Sequence, residues 1–594
     1  MTTHMEDASL EPGAIPADVV HGATWFGHPR QLARLFSTEM WERFGYYGMR
    51  ALLMLYLTKH FIFGDRQAAG IYGGFTALVY LTPLIGGYLA DQYLGSKRSV
   101  KFGAIMMSIG YFVLCFGGPV SQPFATIDGQ RYEVQIEQAK GVETRYVLDQ
   151  GQRLKIKGND DKSVDLLAAN GGIARHVSPD GFKSDAERSP LYVMVLITAL
   201  SLVSVGNGFF KPNISTMVGE LYPAGDRRRD TGFTIFYMGI NLGSLLSQIL
   251  CPWLADTVGW WAGFGLAALG MLFSWSLIQF NGGRLDGYGE PPASGPDRQW
   301  LIYGLAILSV AIFYFLYVNL MNSAPPPAGS GFLGYIMSLS LMGKLLFGTF
   351  ILAVPGILVW AFAVGSKVEF QMMLAAMVLI VFNVCFWTLF EQAGSSLTLF
   401  ADRNTNLSFG LFSISAGQTQ FFNAIFIVIL APLMSIFWNA LSKRGMEPTL
   451  PIKFGVALIG VGAGFLFLVW GSTFADATFK VSVWWLAGLY FIHSVAELCI
   501  SPVGLSMITK LSIARIVGLM MGVWFLSISV AQYVAGVVAQ FASVETVGGQ
   551  VTNLKVSLDT YVGVFTNISL VAIGFGVVLL LLSWPLKYWM HGVK

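Results

Sequence analysis

Charged side chains are scarce in this chain of 594 residues. Asp, Glu, Lys and Arg make up 12% of it and hydrophobic residues 54%, and the mean hydropathy is +0.60. Soluble globular domains carry about 25% charged residues, so this composition excludes an ordinary soluble protein. The sequence therefore predicts an all-α, polytopic membrane protein surrounded by the lipid bilayer.

Signals of other protein classes are also missing. The formal net charge of +3 is too small to indicate a nucleic-acid partner. The sequence has no nucleophile-elbow motif, no Gly-rich phosphate loop and no paired metal ligands, so we expect neither an enzyme nor a bound metal or cofactor. The first 28 residues lack a basic segment followed by an apolar one, so we expect no cleaved secretory signal. Four cysteines stand alone in apolar stretches, as packing residues do: Cys115, Cys251, Cys385 and Cys499.

Apolar runs long enough to cross a bilayer, about 20 residues each, number about fourteen. They lie near residues 30–58, 66–91, 97–119, 189–220, 228–254, 258–281, 298–321, 333–364, 366–400, 415–442, 449–472, 481–509, 514–542 and 560–590. Basic residues of the short connections, such as Lys97, Arg98 and Lys443, fall on one side of the membrane if the N-terminus is cytoplasmic. We therefore expect both termini in the cytoplasm.

Two polar segments interrupt the apolar runs. Residues 120–187 contain stretches in which apolar and polar residues alternate, at 131–137 and 153–157, and turn signals at 128–129 and 180–181. This segment is predicted to form a small β-rich insert outside the cytoplasm, either a passive decoration or a ligand-recruiting domain. The Gly- and Pro-rich segment 282–296 is predicted to be a linker between two halves of the chain.

The first span carries an unusual set of charges. At about 100° per residue, Glu39, Glu42, Arg43, Tyr46 and Arg50 fall on one face of a helix. Burying even one charge in the bilayer centre costs a few kcal/mol, so this face is predicted to border an interior cavity rather than lipid. An interfacial helix with its charges among the headgroups is the alternative.

Polar residues inside later spans indicate the same cavity. The fourth span carries Lys211, and the fifth carries Tyr237 and Asn241 on one stripe that could otherwise bond neighbouring helices. In the second half, Glu497 lies in mid-span, where it is the natural partner for Lys211. Further candidates on these spans are Glu391, which is expected near the outer end of its span, Asn423, His493 (a proton relay or a structural hydrogen-bonder), Ser501 and Trp524.

Several of these segments match motifs of known families. Residues 87–95 resemble the major facilitator loop signature Gly-x-Leu-Ala-Asp-x-x-x-Gly. Residues 39–48 read Glu-x-x-Glu-Arg-Phe-x-Tyr-Tyr-Gly, residues 236–244 read Phe-Tyr-x-x-Ile-Asn-x-Gly-Ser, and residues 497–506 read Glu-Leu-x-x-Ser-Pro-x-Gly-Leu-Ser. In these three motifs the chain resembles the proton-coupled oligopeptide transporter family of the major facilitator superfamily.

The resemblance implies a major facilitator fold of two six-helix bundles with an extra helix pair, as in bacterial members. The corresponding divisions are a tail at 1–28, a first bundle at 29–281 that includes the insert, a linker and extra pair at 282–364, and a second bundle at 365–594. It further implies uptake of di- and tripeptides driven by the inward proton gradient. We expect a monomer in a bacterial inner membrane.

The resemblance also implies roles for individual residues. Arg43, Arg50 and Lys211 are expected to meet the peptide carboxylate, with Tyr46, Tyr47 and Tyr80 around it. Asn241, Asn423 and Glu497 are expected to hold the amino end and backbone, and Tyr237, Ser501 and Trp524 to complete the site. Proton coupling is expected to use Glu39, Glu42, Arg43, Glu391 and Glu497.

Three features depart from the family pattern. Animal members have a histidine where this chain has Gly73, the proline expected after Asn423 is Ala424, and the insert at 120–187 is not general. Other readings therefore stay open. The same fold could carry nitrate or another small anion, and a transporter-like body with the insert as its binding domain could be a sensor.

Overall fold

The computed structural model describes residues 24–139, 142–223, 226, 228–292, 297–323, 331–500 and 504–593. Helices dominate the described chain. They are α1 (Arg30–Leu55), α2 (Asp65–Leu89), α3 (Ser96–Leu114), α4 (Pro190–Glu220), α5 (Arg228–Thr257), α6 (Trp260–Gln279), α7 (Gln299–Met321), α8 (Gly331–Ser338), α9 (Leu341–Val364), α10 (Lys367–Phe390), α11 (Ser396–Asn404), α12 (Phe421–Lys443), α13 (Leu450–Ser472), α14 (Val483–Ile500), α15 (Gly504–Leu511), α16 (Val517–Phe541) and α17 (Leu554–Trp589).

The strands are short outside the insert. They are β1 (Thr24–Trp25), β2 (His28–Pro29), β3 (Gln122–Ile127), β4 (Gln130–Ala139), β5 (Val142–Asp149), β6 (Gln152–Gly158), β7 (Val164–Leu167), β8 (Ile173–Val177), β9 (Phe182–Glu187), β10 (Thr405–Asn406), β11 (Val481–Ser482), β12 (Thr546–Val547) and β13 (Gln550–Val551).

The helices confirm a multi-pass membrane fold. Within the described residues, twelve helical segments are long and apolar enough to cross a bilayer. Helices α1 and α3 are not among these twelve, and each carries at least three charged side chains. Adding α1 and α3 gives the fourteen spans that the sequence predicted.

Two predicted spans have the wrong boundaries. The run at 333–364 is two helices, because Ser340 interrupts the chain and caps α9 by accepting a hydrogen bond from the Gly343 amide. The run at 366–400 begins correctly, with a capping box formed by Ser366 and Glu369. It then breaks into a 3₁₀ turn at Glu391–Gly394 and continues as α11 to Asn404. Glu391 is therefore not at the outer end of its span but at a break within it.

The helices form two bundles joined along two seams. Helix α1 packs on α5 and α6 and α3 packs on α4 in the first bundle, whereas α13 packs on α14 and α17 in the second. Helix α2 meets α16 and α5 meets α12 where the bundles join. The extra helices straddle this junction, because α7 packs on α2 and α4 and α9 packs on α10 and α16.

The predicted β-rich insert is confirmed. Its seven antiparallel strands lie in the order β8-β7-β6-β5-β4-β3-β9, and its alternating apolar residues form a core of their own, separate from the core of the bundles. The turn signal at 128–129 works as expected, since Asp128 and Gly129 have φ of 49° and 86°. Two such residues in succession suit the turn of a tight hairpin.

At the end of the bundles opposite the insert, the loop after α2 is tied to the linker. The Lys97 Nζ donates to Glu290 Oε1 at 2.7 Å and to the Leu285 carbonyl at 3.1 Å, and Arg98 pairs with Asp297 at 3.2 Å. The bases of this loop therefore pair with the linker between the halves.

Small residues allow the bundles to approach closely. A Cβ atom added at Gly73 in α2 would lie 2.6 Å from the Gly536 Cα in α16. Such close backbone contact is typical of small residues at membrane-helix interfaces. A histidine at position 73, as in animal members, does not fit this packing.

We predict that Gly73→Leu destabilises the protein by about 1–3 kcal/mol, because overpacking forces α2 and α16 apart. The measurement is the melting temperature of the purified protein in detergent. Gly304→Leu is the control, since Gly304 on α7 has open space around it. Equal melting temperatures for both variants would contradict the prediction.

Candidate functional site

A cavity of about 500 Å³ lies between the two bundles. This volume is within the range of small-molecule sites, about 300–1,000 Å³. The first bundle contributes Glu39, Arg43, Tyr47, Arg50, Tyr80, Lys211, Ser215, Tyr237, Ile240, Asn241, Ser244 and Gln248 to its wall. The second bundle contributes Trp387, Phe390, Glu391, Ala393, Gln420, Asn423, Ala424, Tyr490, His493 and Glu497. All the lining arginines and lysines thus come from one bundle, and the other supplies two acids.

Helix α1 places a compact ionic network at the wall. The Arg43 guanidinium donates to both carboxylate oxygens of Glu42, with Nη2 to Oε1 at 2.6 Å, and its Nε lies 3.3 Å from Glu39 Oε1. Arg43 Nη2 also reaches Asn207 Oδ1 on α4 at 3.5 Å. Glu39 Oε2 is buried with no hydrogen-bond partner among the described residues. Arg43 is therefore held by two acids of its own helix.

A second arginine joins the two bundles. The Arg50 guanidinium on α1 pairs with Glu391, at the helix break after α10, and its Nε donates to the Tyr72 hydroxyl at 2.7 Å. The break directs the Glu391 carboxylate into the cavity. The side chains of Arg50 and Glu391 are 8% and 7% exposed, so water screens this pair very little.

The predicted pair of Lys211 and Glu497 is wrong for this conformation. The Lys211 Nζ lies 4.0 Å from the centroid of the Tyr80 ring, and it makes no ion pair with a described residue within 4 Å. The Glu497 carboxylate instead accepts a hydrogen bond from the Asn423 amide at 3.1 Å, and Asn423 also donates to Ser494 at 3.0 Å. Both charges face the cavity, but each is held within its own bundle.

Not every predicted site residue reaches the cavity. Tyr46 is 1% exposed and packs edge-to-face behind Tyr47, and Trp524 is 6% exposed and packs against Gly504. Glu42 is fully buried behind Arg43 rather than in the wall. These three side chains belong to the packing around the site, because the helices turn them away from the gap. Ser501 lies outside the described residues.

Three of the remaining candidates have clear local roles. Tyr237 and Asn241 line the cavity on one stripe of α5, and the Asn241 amide donates to the Tyr237 carbonyl at 3.0 Å. The His493 Nε2 lies 3.0 Å from the Val461 carbonyl, and its ring contacts Phe465. His493 is therefore a structural hydrogen-bonder, one of the two readings of the sequence.

The sequence analysis missed Ser215 and Tyr490 in the wall, since one hydroxyl in an apolar span is an ordinary feature. It also missed a lock at the insert side. Arg403 at the end of α11 makes two hydrogen bonds of 2.6 Å to the Asp65 carboxylate at the start of α2. Beside it, Lys59 pairs with Asp402 at 2.5 Å. The available signal in the sequence was the presence of single charged residues, such as Asp65 and Arg403, at the ends of apolar spans.

The arrangement can bind a molecule that is negative at one end and positive at the other. Lys211 and Arg43 offer positive charge on one wall, and Glu497 offers negative charge on the opposite wall. No group of three or more His, Cys, Asp or Glu that could hold a metal ion occurs among the described residues.

We predict that Arg403→Gln destabilises the protein by about 3–5 kcal/mol, because it leaves the buried Asp65 carboxylate without its partner. Thermal unfolding of the purified protein measures the change. Asp402→Asn is the matched control: its pair is partly exposed, with Lys59 at 32%, and such pairs are worth up to about 1 kcal/mol. A larger loss of stability in Asp402→Asn than in Arg403→Gln would show that the Asp65–Arg403 pair is not the stronger contact at this side.

Comparisons with known proteins identify the family of the chain. The profile of the POT family (PTR2) matches residues 97–294 and 344–554, more than half of the chain. The chain is 30% identical to dipeptide and tripeptide permease A of Proteus mirabilis, with 94% of each chain covered. It is 30% identical to a di-/tripeptide transporter of Lactococcus lactis subsp. lactis, covering 96% of this chain and 98% of the relative. A crystal structure of a peptide transporter POT in complex with sulfate matches with a TM-score of 0.71 and 27% identity, over 97% of this chain and 99% of the other.

Proposed function

The chain belongs to the POT family of transporters, and from this premise we propose that it imports di- and tripeptides together with protons. The observation that carries the proposal is the shared cavity, in which all the lining arginines and lysines lie on the first bundle and Glu391 and Glu497 lie on the second. A zwitterionic peptide has a carboxylate and an ammonium at its ends, so it matches this charge arrangement whatever its side chains are. Broad specificity follows from recognition of the two ends.

The two ends of the peptide are recognised by the charged side chains that line the cavity. Lys211 and Arg43 bind the peptide carboxylate, with Tyr47, Tyr80 and Tyr237 beside it. Glu497 accepts the ammonium group, and Asn241 and Asn423 hold the backbone amides. A small anion such as nitrate has no positive end, so Glu497 makes the cavity less suitable for it.

Protons are coupled to transport through the carboxylates that hold the arginines. While Glu391 is ionised, it pairs with Arg50 across the bundles. Protonation removes the charge of Glu391, so Arg50 is released for the peptide and the bundles lose one cross-link. Glu39 and Glu42 act on Arg43 in the same way, although both lie on its own helix.

Transport proceeds by rocking of the bundles, residues 29–281 and 365–594, around the cavity. Among the described residues, four ion pairs join these two ranges: Arg50–Glu391 in the cavity, Lys59–Asp402 and Asp65–Arg403 at the insert side, and Asp160–Lys555 between the insert and the second bundle. This distribution supports a state that is closed at the insert side. Opening to that side requires the three outer pairs to break.

The orientation follows from the loops. Lys97 and Arg98 mark the cytoplasmic side, and the insert lies on the opposite, outer side. We place the protein as a monomer in a bacterial inner membrane, with both termini in the cytoplasm. The state described above is therefore closed to the outside.

We predict that Glu42→Gln abolishes uptake against a gradient but retains exchange of peptide across the membrane. The glutamine keeps the shape of the side chain next to Arg43 but cannot bind and release a proton. Concentrative uptake and counterflow of labelled dialanine in vesicles separate the two activities. Glu187→Gln, in an exposed pair of the insert, is the control. Accumulation by Glu42→Gln would refute this role.

The proposed function itself is tested in reconstituted vesicles. Addition of dialanine outside is expected to acidify the vesicle interior, and excess nitrate is expected not to compete with labelled dialanine. The Glu497→Gln variant is expected to lower dialanine uptake at least tenfold, because the ammonium group loses its counter-charge. Acidification driven by nitrate instead would identify an anion transporter.

A further inference from the structure

The insert is firmly attached to the first bundle. Only two residues separate the end of β9 at Glu187 from the start of α4 at Pro190. One of them, Arg188, donates to the Phe61 carbonyl at 2.8 Å and to the Ile62 carbonyl at 2.6 Å, in the loop between α1 and α2. On the other side, the Ser121 amide donates to the His60 carbonyl at 3.0 Å. The insert therefore moves with the first bundle.

The insert is also docked on the second bundle. The hairpin β12–β13 belongs to the connection between α16 and α17, yet its Val547 is fully buried in the apolar core of the insert, together with residues such as Val134 and Leu154. A residue from one bundle thus completes the core of a domain carried by the other. This contact is apolar and shielded from water, unlike the exposed ion pairs on the surface of the sheet.

Polar contacts surround the buried valine. The Ser184 amide donates to the Glu545 carboxylate at 3.1 Å. At the start of α17, the Asn553 amide donates to Asp160 at 3.1 Å and the Lys555 Nζ pairs with Asp160 at 2.5 Å. The docked surface thus extends along the connection from α16 to the first turn of α17.

The same connection is hydrogen-bonded to the Asp65–Arg403 pair beneath it. The Val544 amide donates to Asp65 Oδ2 at 3.0 Å, on the carboxylate that also binds Arg403. The hairpin therefore lies between the insert above and the outer ion pair below. When the bundles separate at this side, the hairpin has to leave the insert.

We propose that the insert is a clasp: residues 122–187 of the first bundle grip residues 544–555 of the second, hold the outer side closed, and release them once in each transport cycle. The clasp goes beyond peptide recognition, because none of these residues lines the cavity. It rests on the alternating access of the proposed function, and it assigns a conformational role to a segment that departs from the family pattern.

A reversible cross-link tests whether release is required. In the double variant Asp160→Cys/Lys555→Cys, a short thiol reagent with a reducible bond joins the two cysteines. We expect the rate of dialanine uptake to fall at least tenfold after cross-linking and to recover on reduction. Glu137→Cys/Arg153→Cys is the matched control, because this ion pair of 2.8 Å lies wholly within the insert. Wild-type protein treated with the reagent shows whether modification of the four native cysteines alone lowers uptake. Unchanged uptake by the cross-linked 160/555 protein would overturn the clasp.

A distance measurement tests the clasp without any substrate. Spin labels on the exposed residues Gln152 in the insert and Ala477 in the second bundle report the separation of the bundles on the outer side. Val547→Ser removes apolar burial from the clasp, and we expect it to raise the ratio of separated to docked protein about tenfold. Val551→Ser, on the partner strand and outside the apolar core of the insert, is the control.

The outcomes of these tests are distinguishable. Lack of dialanine uptake by the wild type would reject the proposed function, and the spin-label distances would still decide whether the clasp exists. If Val547→Ser and Val551→Ser give the same distribution of spin-label distances, the clasp is overturned, even when the protein transports peptide.

Discussion

The structure depends on pairing opposite charges that are buried between two membrane bundles. An isolated ion in a medium of low dielectric is costly, and removing one partner of a buried pair costs about 3–5 kcal/mol. Arg50 and Glu391 satisfy this constraint across the cavity, and Asp65 and Arg403 satisfy it at the insert side. Any movement that separates the bundles has to give each arginine another partner, and each carboxylate another partner or a proton.

This constraint connects the site to the motion. A peptide carboxylate can replace a glutamate beside an arginine, and a proton can remove the charge of that glutamate. In the proposed mechanism, binding, protonation and rocking therefore act on the same contacts, so that each changes the others. The tyrosines around Arg43 and Lys211 stabilise these cations through their rings when no anion is present.

The outer side adds contacts of a different kind. The hairpin at Thr546–Val551 is held by apolar burial in the insert and by a hydrogen bond from Val544 to the carboxylate of the lock. Apolar contacts do not depend on protonation, whereas the ion pairs in the cavity do. Under the proposed function, the closed state is thus stabilised by one set of contacts that depends on protonation and one that does not.

The sequence by itself determined the membrane class, the number of spans, the β-rich insert and the charged faces of α1, α4 and α14. These features follow from local periodicity and from the cost of exposing charge to lipid. Both can be read from residues that are close together in the sequence. The break at Glu391 was not predicted, because the polar residues Glu391 and Gln392 with Gly394 were read as part of one continuous span, and no proline marks the end of the helix.

Only the tertiary structure decided which charges pair. From the sequence, Lys211 was assigned to Glu497, yet Glu391 holds Arg50 and Asn423 holds Glu497. Likewise, the alternation within 120–187 predicted strands but not that Val547, several hundred residues away, fills their core. Partner choice depends on which helices meet and how deep each side chain lies, and distances of this kind are not encoded in any local pattern.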